Sequence, residues 1–112
     1  MNTTIELPDA CLQTLEEHLQ PELFKSLCDP TRLSIVAFLA TQSQAVSVGA
    51  LAEQYGIDFS GVSRHLKILK QAGVVKAEKQ GREVNYSLKT QYLTQTLRGF
   101  ADALEACCPD NN

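Results

Sequence analysis

The spacing of hydrophobic residues changes period along this chain, and the changes mark out its elements. Leu12, Leu15 and Leu19 recur at helical spacing behind Pro8-Asp9 and predict a short amphipathic helix over 9–19, which Pro21 ends. Leu23, Phe24 and Leu27 predict a second helix from Glu22 to Cys28. Asp29-Pro30 is a start signal, an N-cap followed by proline at N1, and Leu33, Val36, Ala37, Leu39 and Ala40 predict a core helix behind it. After polar Thr41 to Gln44, Ser47 can cap a short helix carrying Val48, Leu51 and Ala52, which stops at the glycine turn Tyr55-Gly56-Ile57. From Asp58 to Gly73 the apolar residues Val62, Leu66 and Leu69 form one inward stripe. Asp58 is the N-cap candidate there and Gly73 the C′ glycine.

Beyond Gly73 the period shortens to two. Val74 to Lys79 and Glu83 to Leu88 predict two strands joined at Gln80-Gly81-Arg82, with Val84, Tyr86 and Leu88 on one face. Thr90 can cap a last helix that runs to about Cys107 on a stripe of Leu93, Leu97, Phe100, Ala101 and Leu104. That stripe is broad for a terminal helix, and a dimer interface would bury it. The expectation is a mainly α fold with a small β-hairpin, a winged helix-turn-helix occupying residues 1–112 as one domain. Its helix-turn-helix is 47–73, its wing 74–88, and its dimer helices are 9–19 and 91–107. The second helix of such a unit presents its first outer turns to base edges in a DNA major groove, here Ser60, Ser63 and Arg64. Lys79 and Arg82 at the hairpin tip are placed to reach the adjacent backbone or minor groove.

Net charge bears on that expectation and at first opposes it, since −3 is the wrong sign for a DNA binder. Divided along the chain, the objection disappears. Up to Ser63 only Lys25 and Arg32 oppose eight carboxylates, whereas from Arg64 to Arg82 six cations, Arg64, Lys67, Lys70, Lys76, Lys79 and Arg82, face Glu78 alone. A basic run by itself is more often a solvated face, but this one coincides with the helix-turn-helix. No apolar run approaches the roughly 18 residues of a membrane span, so no membrane partner is expected. The start MNTTIELPDA has neither the basic head nor the apolar middle of a secretory signal, which predicts the cytoplasm.

The run LFKSLCDPTRLSIVAFLA, followed by SVGALAEQYGIDFSGVSRHLKILKQAGVVKAEKQGREVNYSL, resembles the ArsR/SmtB-type winged-helix repressors over nearly the whole chain. The DPTR start at Asp29 to Arg32, the VSRHLKIL core and the GREVNYSL wing occur together in the family's order. The resemblance implies a homodimer built on the first and last helices that binds double-stranded operator DNA at an imperfect palindrome and leaves it when an inducer binds. By carry-over Ser60, Ser63 and Arg64 contact bases or phosphates, with Lys67 next and Lys79 and Arg82 on the wing. His65 matches a family position too, while its place beside Leu66 equally suits a half-buried packing histidine. Gly61 stands where a better helix former is usual, at a cost of about 1 kcal/mol.

The chain departs from the family at the usual metal ligands. Thr90, Tyr92, Ala103 and Ala106 stand where the zinc-type site needs carboxylates and imidazoles, and Ser47 and Gly49 where metal-sensing variants carry cysteines. Four thiols remain elsewhere: Cys11, Cys28 and the adjacent pair Cys107 and Cys108. In a reducing compartment they suit metal or redox chemistry better than structural disulfides. One reading is a sensor of a thiophilic ion such as As(III), with the vicinal pair joined by Cys28 or by Cys11 of a second subunit. Another is a redox or reactive-sulfur sensor bridging Cys28 to Cys107 or Cys108. The third treats the thiols as small hydrophobes and a terminal tail. No obligatory cofactor is expected. An enzyme is disfavoured, because there is no phosphate-binding glycine loop or nucleophile elbow and the only imidazoles, His18 and His65, lie in separate segments. A winged-helix protein-interaction module is the other rival, though it has little use for the basic run.

Overall fold

The computed structural model describes residues 20–107, so the helix expected over 9–19 lies outside the described residues, as do Cys11 and Cys108. The chain divides into two compact units, one running Pro21–Tyr92 and the other comprising the remainder. In the first unit, helices α1 (Pro21–Ser26), α2 (Pro30–Ala40), α3 (Val48–Tyr55) and α4 (Phe59–Gln71) come in order, with strand β1 (Val46–Ser47) ahead of α3. Strands β2 (Val75–Gln80) and β3 (Glu83–Leu88) follow α4, and α5 (Thr90–Cys107) leads into the second unit. Among the described residues no helix is long and apolar enough to cross a membrane.

Local chemistry explains the boundaries. Asp29 takes extended backbone angles, and its carboxylate accepts from the Arg32 N–H at 3.0 Å, with Pro30 occupying the position whose missing donor costs nothing. Ser47 does the same for α3, its Oγ accepting from the Ala50 N–H at 3.1 Å. Helix α3 stops because Gly56 turns into the left-handed region at φ 63°, which reverses the chain toward α4. Helix α4 ends in a Schellman motif. Gly73, at φ 82°, donates to the Lys70 carbonyl at 3.0 Å, and Val74 donates to the Leu69 carbonyl at 2.9 Å.

The sheet is antiparallel in the order β1-β3-β2. Val75 pairs with Leu88 and Gln80 with Glu83, so the hairpin loop is only Gly81-Arg82. Sequence reasoning anticipated this hairpin but not the third strand. Val46 opposite Tyr86 and Ser47 opposite Asn85 tie the start of α3 to the wing, and two residues are too few to show an alternating pattern.

The core of this unit is built around α4. Val62, Leu66 and Leu69 are all 0% exposed, as are Ile35 of α2, Leu51 of α3 and Val74. Each such side chain contributes on the order of 1.5–3 kcal/mol through apolar burial. Helix α2 corrects the sequence expectation: it buries Ile35 and Leu39, while Leu33, expected in the core, is 50% exposed. Its sequence PTRLSIVAFLA is apolar on almost every side, so periodicity could not choose a face. In α5, Leu93, Thr96 and Ala103 are buried, whereas Leu97 and Leu104 of the expected stripe are exposed.

The Ser47 cap and β1 pairing together hold the entry to the helix-turn-helix. Ser47→Ala is expected to lower stability by about 1 kcal/mol, read as a lower urea midpoint at unchanged slope. An unchanged midpoint would show that the hydroxyl does not cap.

Candidate nucleic-acid interface

Because α4 turns Val62, Leu66 and Leu69 inward, the residues between them must face outward. Ser60, Arg64, Lys67 and Lys70 are exposed and Ser63 is half-buried. Helices α1, α2 and α3 and strand β2 all touch α4, so its exposed side is the one they leave open. At the wing tip Lys79 and Arg82 are exposed in the same unit. Among the described residues the ion pair found is Lys76–Glu78, at 3.9 Å with both side chains at least half exposed. A pair that open contributes little and leaves the other cations of the basic run available to phosphate.

The first turn of α4 accounts for Gly61. Asp58 is the N-cap residue by backbone angles, yet its carboxylate makes no capping hydrogen bond of good geometry. Instead it accepts the Ser60 hydroxyl. That hydrogen bond is the main reason the Asp58 carboxyl lies below the ordinary aspartate value, with the nearby Gly61 N–H and the Arg64 charge assisting. A Cβ on residue 61 would come within 2.9 Å of Asp58 Oδ1 and 3.0 Å of Ile57 Cγ2. Glycine is therefore the price of folding Asp58 back over the helix start. Ser60 spends its one O–H donor on this contact and offers only lone pairs outward.

Arg32, the last residue of the DPTR run, ties the unit together. Its Nε donates to the Ser26 carbonyl at 2.6 Å, and its Nη1 lies 3.3 Å from His65 Nδ1. Arginine can only donate, so Nδ1 accepts and the remaining ring proton sits on Nε2. His65 is thus half-buried against Arg32, with Nε2–H left as its donor. Asp29 completes the junction. The Arg32 N–H, above all, holds its carboxyl below the ordinary value, and the guanidinium charge adds to this.

The wing and the helix-turn-helix enclose an open groove of about 300 Å³, lined by residues that include Ser47, Gly49, Phe59, Ser63, Arg82 and Val84. Phe59, at the first position of α4, is 61% exposed. It was not among the sequence-predicted site residues, although an aromatic at the first turn of a recognition helix was a signal that could have found it. Cys28 and Cys107 are the thiols among the described residues, and they fall in different compact units. Cys28 is exposed, with its Sγ donating to the Phe24 carbonyl at 3.3 Å, and Cys107 ends α5. Among the described residues no three His, Cys, Asp or Glu side chains are grouped to hold a metal ion.

Comparison with known proteins agrees with this geometry. The family model for a helix-turn-helix domain matches residues 27–78. The chain is 36% identical over 75 residues to the transcriptional repressor SdpR of Bacillus subtilis, covering 67% of this chain and 81% of that protein. Among solved structures, it superimposes on a possible transcriptional regulator for arsenical resistance with TM-score 0.63 and 32% identity, covering 78% of this chain and 86% of the other. The reduced form of HlyU from Vibrio cholerae gives TM-score 0.61 and 25% identity, covering 78% of this chain and 90% of the other.

The two lowered carboxyls set the direction of the acid response. Their folded values lie below the unfolded ones, so what they contribute is complete above about pH 4 and is lost as pH falls through the folded values. Melting between pH 2 and 6 is expected to show a shallower acid loss for an Asp29→Asn/Asp58→Asn double variant than for the parent, and parallel curves would refute the assignment. Gly61→Ala is expected to fall short of the stabilisation of about 1 kcal/mol that helix propensity alone provides. In an Asp58→Ala background the same exchange should gain more, and an equal gain in both backgrounds would show that the Asp58 contact is not what requires glycine.

Proposed function

The chain belongs to the ArsR/SmtB family of winged helix-turn-helix transcriptional regulators, DNA-binding proteins that are not enzymes, and from that premise we propose that it is a repressor acting as a homodimer on a palindromic operator. The observation that carries this is the two-faced α4, whose apolar stripe is fully buried while Ser60, Arg64 and Lys67 are exposed in the same unit as Lys79 and Arg82. Ser63 and Arg64 meet base edges, and Lys67, Lys79 and Arg82 meet phosphates. His65 offers Nε2–H to the DNA and is held in that tautomer by Arg32. Two-fold symmetry puts the paired α4 helices in successive major grooves, about 34 Å apart. Leu97 and Leu104, two helical turns apart on α5 and exposed in the single chain, support that helix as a pairing surface. The expected helix over 9–19 is its counterpart.

Release from the operator depends on the thiols. As(III) or another thiophilic ion binds the thiolates of Cys107 and Cys108 with a third from Cys28 or from Cys11 of a second subunit, because soft ions select sulfur. The likeness to a regulator named for arsenical resistance supports this chemistry. A second reading is favoured by the likeness to reduced HlyU. In it Cys28 bridges to Cys107 or Cys108, and the two thiols give up two protons and two electrons to a disulfide- or persulfide-type oxidant. In either case the inducer must bind one dimer geometry better than the other, and operator affinity falls by that difference.

Fluorescence anisotropy on a duplex selected from a random pool tests both levels. Affinity is expected to fall on the order of 1,000-fold or more between 50 and 200 mM salt, with Arg64→Ala relaxing sequence preference at the base pair it contacts and Lys67→Ala reducing the salt slope by about one. A flat salt titration would overturn operator binding through the basic face. Arsenite should release the parent but not a Cys107→Ser/Cys108→Ser variant. Release by persulfide alone would select the second chemistry, and release by neither would remove the thiols from the mechanism.

A further inference from the structure

We propose that Phe59 is a specificity-determining residue that reads the 5-methyl group of a thymine in each operator half-site. The proposal rests on the operator-binding reading and adds a base contact to it. By spacing, Phe59 continues the stripe of Val62, Leu66 and Leu69, yet those three are 0% exposed and Phe59 is 61% exposed. The cause is its position at the helix end. Helical Cα–Cβ bonds tilt toward the N-terminus, so a side chain at the first position projects beyond the first turn rather than onto the core. There it lines the groove between the helix-turn-helix and the wing, together with Ser63 and Val84, and Val84 is itself 37% exposed. Gly49 in the groove wall leaves it open on that side, since a Cβ there would meet no atom within 4 Å.

The occupant follows from charge and from the chemistry of a phenyl ring. Arg82 lines the groove and Arg64 is exposed on the same helix as Phe59, which suits a polyanion better than a second copy of an acidic chain. Glu83 also lines it, which disfavours a phosphate inside the groove and leaves its apolar wall for a base. A phenyl ring has no donor or acceptor, so it cannot read the hydrogen-bonding pattern of base edges. The one apolar group that standard base pairs present in the major groove is the thymine methyl.

Deoxyuridine removes that methyl and nothing else. The dimer would first be used to select a duplex from a random pool, and each thymine of the selected sequence would then be replaced singly and in symmetric pairs. The parent protein is expected to lose about fourfold in affinity for one methyl at one position of the half-site and about fifteenfold for the symmetric pair, the effect of burying one methyl group on each side. Phe59→Ala should lose a comparable factor on the thymine duplex and be indifferent to deoxyuridine at that position, with its salt slope unchanged. Phe59→Leu, which keeps an apolar contact, should retain part of the sensitivity.

Three results would overturn the proposal while leaving operator binding intact. They are no deoxyuridine effect at any position, an equal effect on the parent and Phe59→Ala, or a Phe59→Ala loss that is the same on selected and scrambled duplexes. A pool that yields no consensus sequence would sink the operator reading and this proposal with it.

Discussion

The burial of Val62, Leu66 and Leu69 is the constraint on which the rest of the structure depends. Three side chains on one helical stripe, all inaccessible to water, leave α4 no freedom to rotate about its axis without exposing an apolar group. Rotation is what would ruin recognition, since it would carry Ser63 and Arg64 away from the open side. The core therefore acts as an alignment device. It does not touch DNA, but it sets which residues can.

Polar ties refine this alignment at both ends of the helix-turn-helix. Arg32 joins the end of α1, the start of α2 and the middle of α4 through Ser26, Asp29 and His65, and so converts a sequence-local cap into a link across the fold. At the head of α4 the Asp58 carboxylate holds Ser60, and Gly61 leaves room for it. Both aspartates sit next to cations or N–H donors, which favours their charged form. An acidic chain can thus carry a local cationic ridge, because screening limits charge effects to about 8 Å at physiological salt.

Specificity and control then draw on different parts of the chain. In the proposed reading, base contact belongs to the first turns of α4, where hydroxyls, arginine and an exposed phenyl stand together, whereas phosphate attraction is spread from Arg64 to the wing tip. Control, in the proposed reading, falls to a second site coupled to the spacing of two such helices, with its thiols at Cys28 and at the end of α5. A ligand held there can act on DNA only by favouring one dimer geometry over another.

Features that arise within a turn or two of chain were legible in the sequence. The α4 stripe, the caps at Asp29 and Ser47, the glycine at the end of α4 and the hairpin each depend on neighbours a few residues apart, whose spacing leaves a pattern. What depends on distant neighbours left none. The buried face of α2 was decided by what packs on it, because its sequence is apolar all round. Strand β1 exists through two pairs with β3, and the Arg32–His65 contact joins residues 33 positions apart. Phe59 fits the buried stripe by spacing and was left exposed by lying where the core ends. Periodicity states which residues share a face, and only packing decides how far along that face the protein extends.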